Sequence, residues 1–197
     1  MTPGKPASRR RILLVDDHPL MREGLAQLID GQPDMAVCGE ACDRASAMDA
    51  LESTRPDLAI VDLSLKEQSG MELIKDLRAR APDVVILVLS MHDESVYAER
   101  ALRAGARGYV MKREASERVL DAIRRALAGD VVVSEQIMSG ILNNLSGRAD
   151  TGRAAAIAPL SDRELEILTL IGNGYGVREI GRMLGISAKT VEAHRAN

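Results

Sequence analysis

The sequence contains very few aromatic residues. Tryptophan and phenylalanine are absent, and the three aromatic residues are Tyr97, Tyr109 and Tyr175. Hydrophobic residues nevertheless make up 46% of the 197 residues, so the core must be built from aliphatic side chains, alanine and methionine. A chain of this length can form one large domain or two small ones, each with a buried core.

Cysteine and long apolar runs are also scarce. Cys38 and Cys42 are the only thiols, which supports neither a disulfide scaffold nor a zinc site. No stretch approaches the roughly 20 apolar residues of a membrane span, and the basic N-terminus is not followed by the apolar core of a signal peptide. We therefore expect a cytoplasmic protein with no membrane partner. The net charge of -3 favours no partner by itself.

Short apolar runs alternate with longer amphipathic segments between residues 12 and 128. Five runs are typical of strands, namely "ILLVD" (12–16), "MAVCG" (35–39), "LAIVD" (58–62), "VVILVLS" (84–90) and "GYVM" (108–111). Strands that alternate with helices predict a parallel sheet with helices on both faces, which buries each strand and requires it to be apolar. The predicted fold is an α/β, five-stranded, parallel, doubly wound domain.

Polar residues stand at the carboxyl ends of four of these strands. Asp16 and Asp17 end the first, Asp62 ends the third, Ser90 ends the fourth, and Lys112 follows the fifth. Each of these residues, taken alone, is most simply interpreted as a helix cap, a turn residue or a solvated charge. Because ligands of open parallel sheets bind beyond the carboxyl ends of the strands, five such residues at one edge indicate a functional site.

The residue types favour phosphoryl chemistry with a metal ion. Three carboxylates within a few ångströms repel, so a proton, a metal or another cation must neutralise at least one of them. Oxygen ligands without histidine or cysteine suit Mg²⁺. If Asp62 attacks a phosphoryl donor, the metal and Lys112 would stabilise the developing charge, and Ser90 could hydrogen-bond the same group.

The chain resembles the NarL/FixJ family of two-component response regulators, which join a flavodoxin-like receiver domain to a LuxR-type helix-turn-helix. The resemblance covers nearly the whole chain, with residues 10 to 128 matching the receiver. Its motifs are "LVDDHPLMREGL", "LAIVDLSLKEQSGMELI", "VILVLSMHDESVYAERALRAGARGYVMK" and "LSDRELEILTLIGNGYGVREIGRMLGISAKTVEAHRAN". It implies that Asp62 is the phospho-acceptor. It also implies a Mg²⁺ ion held by Asp16, Asp17, Asp62 and the backbone carbonyl of Ser64.

Two further positions follow from the resemblance. Ser90 and Tyr109 resemble the switch pair, in which the hydroxyl moves toward the phosphoryl group and the aromatic ring follows inward. A plain core or interface ring remains an alternative for Tyr109. Lys66 stands four residues after Asp62, where the family often has proline, so we expect the loop conformation and the phosphorylation rate to differ.

The composition divides the chain into a receiver (10–129), a helix and linker (130–158) and a helix-turn-helix domain (159–197). Ser161 and Glu164 predict a capping box at the start of the last domain, with Leu160 packed against Leu165. The packing residues of the helix-turn-helix are expected to be Ile180, Leu184, Ile186 and Val191. Without the resemblance, a three-helix packing module would be as good an interpretation.

The helix after Ser187 would carry the DNA contacts on its outward face. The predicted contacts are Lys189, Thr190, Glu192, Ala193, His194, Arg195 and Ala196. Basic residues would reach phosphates, and Glu192 could accept from a cytosine amino group. The sequence ends at Asn197, inside this helix, whereas family members continue, so we expect a domain that is incomplete at its C-terminus.

The function predicted from the sequence is a transcription regulator switched by phosphorylation. A sensor histidine kinase would phosphorylate Asp62, and the C-terminal domain would bind promoter DNA, as a homodimer when phosphorylated. The only chemistry expected is self-phosphorylation and autodephosphorylation. Two alternatives are an unphosphorylated protein-interaction module and a phosphatase-like α/β enzyme; "DDHPLM" after the first strand lacks the glycine-rich pattern of nucleotide-binding enzymes, which weakens the latter.

Overall fold

The computed structural model describes residues 9–65, 68–114, 116–145 and 160–196. Five strands form one parallel sheet in the order β2-β1-β3-β6-β7, which confirms the predicted fold class. A short antiparallel pair, β4 and β5, lies outside it. The strands are β1 Arg10–Val15, β2 Met35–Ala41, β3 Leu58–Val61, β4 Ser64–Leu65, β5 Gln68–Ser69, β6 Val85–Ser90 and β7 Gly108–Met111.

Helices cover both faces of the sheet and form the C-terminal domain. They are α1 Pro19–Asp30, α2 Arg44–Thr54, α3 Gly70–Arg80, α4 Glu94–Ala104, α5 Ser116–Ala128, α6 Glu135–Leu145, α7 Asp162–Gly172, α8 Val177–Met183 and α9 Ala188–Ala196. One buried cluster joins the sheet to α2, α3 and α4, and a second joins it to α1 and α5. Successive side chains of β1 point to opposite faces of the sheet. Leu13 and Val15 therefore belong to the first cluster, and Ile12 and Leu14 belong to the second.

The segment after Asp62 is the main local difference from the sequence-based expectation. We expected a loop, and the structure forms the β4–β5 hairpin; Lys66 lies outside the described residues. Gly70 follows the hairpin and begins α3. A Cβ atom at Gly70 would collide with the backbone of Asp62 and Leu63, so glycine at this position lets α3 start directly against the end of β3.

The C-terminal domain packs around Ile167, Ile180, Leu184 and Val191. The capping box at Ser161 and Glu164 is confirmed, because each residue's side chain accepts from the other's backbone N–H. Within the described residues, no helix has the length and apolar character needed to cross a membrane.

Candidate functional site

The structure brings the predicted polar residues together at the carboxyl edge of the sheet. Asp16, Asp62 and Ser90 are 3%, 2% and 0% exposed, although all three are polar. They reach one place because β1, β3 and β6 are neighbouring parallel strands that end side by side. Buried polar side chains need hydrogen-bonding or charged partners. Lys112 is such a partner for Asp16 and Asp62.

Lys112 joins two of the carboxylates. Its Nζ atom lies 2.6 Å from Oδ2 of Asp16 and 2.7 Å from Oδ2 of Asp62. Burial by itself would lower the pKa of Lys112, but the charges of Asp62 and Asp16 and their hydrogen bonds outweigh it and raise that pKa. The ammonium group therefore stays charged beside the predicted acceptor.

Asp17 has a buried oxygen that the described residues do not satisfy. Its side chain is 8% exposed. The Oδ1 atom lies 2.7 Å from Nδ1 of His18, but without hydrogen-bonding geometry, so this oxygen has no hydrogen-bond partner among the described residues. A buried carboxylate oxygen left in this state favours a cation next to it.

The donor set fits a divalent ion. Asp16, Asp17, His18 and Asp62 each offer one ligand atom, and these four atoms lie within 4.8 Å of one another. Three carboxylates and the Lys112 ammonium leave two negative charges, which one divalent ion would neutralise. Sequence reasoning missed His18, although it directly follows the aspartate pair. Its backbone N–H donates to Oδ1 of Asp16 at 2.9 Å and its ring lies beside the same atom.

Ser64 lies directly against the predicted acceptor. Its backbone N–H donates to Oδ1 of Asp62 at 3.2 Å, and its Oγ atom lies 3.0 Å from Nε2 of His92. Burial lowers the pKa of His92, although Asp62 acts in the opposite direction. The role of the Ser64 carbonyl as a metal ligand stays a prediction. Sequence reasoning also missed His92, which stands two residues after Ser90.

Ser90 and Tyr109 both bond to the backbone of His92. The Ser90 hydroxyl oxygen accepts from the His92 N–H at 3.3 Å, and the Tyr109 hydroxyl donates to the His92 carbonyl at 2.9 Å. The Tyr109 ring is 2% exposed, so it occupies the inward position. Burial raises the pKa of Tyr109 far above its ordinary value, which keeps the donating proton in place.

The residues predicted to contact DNA lie on α9. Lys189, Glu192, Ala193 and Arg195 are exposed, Thr190 and His194 are half-buried, and Ala196 is the last helical residue. Val191 faces inward and is fully buried. The Ser187 hydroxyl caps the helix by accepting from the Thr190 N–H at 3.0 Å. The polar face of α9 is therefore available to a ligand.

Two family models match the chain. One, described as the response regulator receiver domain, matches residues 12–124, and the other, described as bacterial regulatory proteins of the luxR family, matches residues 158–197. The first alone covers more than half of the sequence.

Relatives and solved structures agree with these matches. The oxygen regulatory protein NreC of Staphylococcus carnosus is 35% identical over 191 residues, which cover 95% of this chain and 88% of that protein. A LuxR-family two-component response regulator from Aurantimonas sp. SI85-9A1 is 37% identical, with a TM-score of 0.64 over 71% of this chain and 99% of that chain.

A third comparison includes DNA. RcsB from Salmonella enterica serovar Typhimurium, bound to the promoter rprA in the presence of the phosphomimetic BeF3-, is 26% identical, with a TM-score of 0.66 over 95% of this chain and 89% of that chain. These matches place the chain among transcription regulators rather than among classical enzymes. The chain belongs to the response regulator family and combines a receiver domain with a LuxR-type helix-turn-helix domain.

Proposed function

We propose that this chain is a DNA-binding transcription regulator in which Asp62 accepts a phosphoryl group from a sensor histidine kinase. The observation that carries the proposal is the arrangement around Lys112, whose ammonium group contacts both Asp16 and Asp62 in a buried pocket. The buried, unsatisfied oxygen of Asp17 stands in the same cluster. Such a pocket suits a carboxylate whose negative charge increases during the reaction.

Asp16, Asp17 and Asp62, with the backbone carbonyl of Ser64, would hold Mg²⁺. Mg²⁺ would supply positive charge to the oxygens of the transferring group. Asp62 then attacks phosphorus with a carboxylate oxygen, the bond between phosphorus and the kinase imidazole breaks, and the imidazole keeps the bonding electron pair. Lys112 stabilises the oxygens that gain charge, and the Ser90 hydroxyl donates to one of them. Later attack by water on phosphorus breaks its bond to the Asp62 oxygen, releases inorganic phosphate and returns Asp62 to a carboxylate. Self-phosphorylation and autodephosphorylation are the only reactions proposed.

The C-terminal domain would bind promoter DNA through α9. Its exposed polar face supports this, and the RcsB complex shows a related chain on a promoter. One short helix reads few base pairs, so we propose a homodimer of the phosphorylated form that pairs two half-sites. A cytoplasmic location, expected from the sequence, agrees with DNA as the target.

Selection of DNA fragments tests the proposal as a whole. Sheared genomic DNA is incubated with the chain, with and without acetyl phosphate and Mg²⁺, and the bound fragments are sequenced. We expect a small set of fragments to be enriched only after phosphorylation. Asp62→Ala should lose this enrichment, whereas the control Asp83→Asn, which changes an exposed carboxylate, should keep it. Equal enrichment by Asp62→Ala under both conditions would contradict the proposal.

A further inference from the structure

An arginine of α1 extends back to the end of β1. Arg22 lies in the first turn of α1, where its backbone N–H donates to the His18 carbonyl at 3.1 Å. Helical side chains point toward the N-terminus of their helix, so this side chain lies beside the strand that precedes α1. Its Nη1 atom donates to the backbone carbonyl of Asp16 at 2.7 Å. The Arg22 side chain is 19% exposed, so most of it is removed from water.

Glu40 contacts another part of the same guanidinium group. The Nε atom of Arg22 donates to Oε2 of Glu40 at 2.8 Å. Glu40 belongs to β2, which pairs with β1 in the parallel sheet. Because the guanidinium group is planar and has five donors in a fixed arrangement, it can bind two acceptors and hold both in place. Arg22 therefore connects α1 to the ends of two neighbouring strands.

The Asp16 carbonyl lies just beyond the paired part of β1. Pairing of β1 with β3 ends at Val15, whose carbonyl accepts from the Asp62 N–H at 2.9 Å. The next carbonyl along the chain, that of Asp16, accepts from Arg22. The peptide group is planar, so a bond that fixes the direction of this carbonyl also fixes the N–H of Asp17. The Arg22 contact therefore sets the direction in which the Asp17 side chain leaves the backbone.

The two neighbouring aspartates differ in their own partners. Both carboxylate oxygens of Asp16 have one, since Oδ1 accepts from the His18 N–H and Oδ2 contacts Lys112. The buried Oδ1 atom of Asp17 has no hydrogen-bond partner among the described residues. The orientation of this oxygen then depends on the backbone that carries it, and Arg22 holds that backbone.

We propose that Arg22 is a positioning residue for the metal site, which directs the Asp17 carboxylate toward Asp16 and Asp62 by holding the Asp16 carbonyl. This inference rests on the proposed function, because it requires Mg²⁺ to bind at these carboxylates. Arg22 acts through the backbone, since its guanidinium group donates to the Asp16 carbonyl and to Glu40. Groups that orient the ligands of a metal commonly change its affinity by 10- to 100-fold.

The positive charge of Arg22 has the opposite effect on Mg²⁺. A cation near the site repels the metal ion, so its removal would tighten Mg²⁺ binding if charge alone mattered. A positioning role predicts weaker binding, because Asp17 can turn away once the Asp16 carbonyl is released. A role in stability alone predicts no change in the Mg²⁺ affinity of the folded chain. The sign of the change therefore separates the three roles.

Titration calorimetry of the full chain with Mg²⁺ measures this sign. We expect Arg22→Met to bind Mg²⁺ about tenfold more weakly than the wild type. Arg22→Lys keeps the charge and a donor, so its affinity should lie within about threefold of the wild-type value. The control Arg10→Met removes the same charge at the opposite end of β1 and should bind as the wild type does.

The possible failures of this experiment have different meanings. Unchanged or tighter Mg²⁺ binding by a folded Arg22→Met variant overturns this inference and leaves the proposed function in place. A wild-type chain that binds no Mg²⁺ overturns the proposed function, and this inference with it.

Glu40 provides a second test if Arg22→Met does not fold. Glu40→Gln and Glu40→Ala remove the same charge from a half-exposed side chain, but the glutamine keeps an oxygen that can accept from Nε of Arg22. We expect Glu40→Ala to bind Mg²⁺ about threefold more weakly than Glu40→Gln, which is within the range of one hydrogen bond. Equal affinities of these two variants would overturn the inference.

Discussion

The Nζ atom of Lys112 lies 2.7 Å from Oδ2 of Asp62, and both side chains are at least 97% buried. The same ammonium group contacts Asp16 at 2.6 Å. One cation therefore holds the ends of two neighbouring strands together and fixes the orientation of the proposed acceptor. Removal of one member of such a buried pair leaves an uncompensated charge, which makes the contact testable by unfolding.

Lys112→Met should reduce the free energy of unfolding by about 3 kcal/mol, measured in urea without divalent ions. Addition of Mg²⁺ should then stabilise the variant more than the wild type, because Asp16 and Asp62 have lost the ammonium group that contacts both of them. Lys189→Met, on the exposed face of α9, is the control and should change little. If Mg²⁺ raised the free energy of unfolding of Lys112→Met and Lys189→Met by the same amount, the proposed role of Lys112 in neutralising the carboxylates would be contradicted.

Asp17→Asn should weaken Mg²⁺ binding at least about tenfold, because it removes the negative charge of a carboxylate whose buried Oδ1 atom has no hydrogen-bond partner among the described residues. Titration calorimetry of the unphosphorylated chain measures the affinity without depending on phosphoryl transfer. Glu23→Gln changes an exposed acid of α1 and should bind as the wild type does. If Asp17→Asn bound Mg²⁺ with the same affinity as the wild type, Asp17 would not be a ligand of the metal.

Gly70→Ala should destabilise the receiver by about 1–3 kcal/mol, since the added methyl group would collide with backbone atoms of Asp62 and Leu63. The displaced acceptor should also be phosphorylated more slowly. Gly24→Ala, in the open middle of α1, should instead stabilise the chain by about 0.5–1 kcal/mol. Urea unfolding of both variants tests the contrast. If Gly70→Ala were slightly stabilised, as Gly24→Ala is expected to be, this would show that α3 can shift away from Asp62.

Glu166→Gln should stabilise the chain at neutral pH by less than about 1 kcal/mol. Burial raises the pKa of Glu166, and this outweighs the ion pair with Arg163. A carboxyl group whose folded-state pKa is raised favours the folded state in its neutral form. The stability it gives is complete below the unfolded value of 4.5 and is lost as pH rises through the folded value. The glutamine variant avoids this loss.

Thermal unfolding between about pH 5 and pH 7.5 measures this difference. The advantage of Glu166→Gln should grow as pH rises and shrink as pH falls. Glu99→Gln, at a more exposed ion pair with Arg103, should show no such trend. A constant advantage across the range would mean that ionisation of Glu166 is not its cause.

The sequence predicted those features that depend on local pattern. Apolar runs marked the strands, and because parallel strands end at one edge, their terminal residues Asp16, Asp62 and Ser90 were expected to converge, as the structure shows. The capping box of Ser161 and Glu164 depends on residues three apart, and it was also predicted.

Features that depend on tertiary contacts were not predicted. The stack of His92 on Tyr97 requires a particular path for the 91–93 segment. The bond from Tyr97 to Thr169 joins residues 72 apart, in different domains. The β4–β5 hairpin contains two residue pairs, which are too few to give a periodic pattern of apolar residues in the sequence. None of these contacts leaves a repeating pattern in the sequence.

Peptide mass spectrometry after treatment with acetyl phosphate and Mg²⁺ tests whether Asp62 is the phospho-acceptor. We expect one added phosphate, located on Asp62, dependent on Mg²⁺ and absent from Asp62→Ala. A phosphate on another residue, or none at all on a folded chain that binds Mg²⁺, would contradict it.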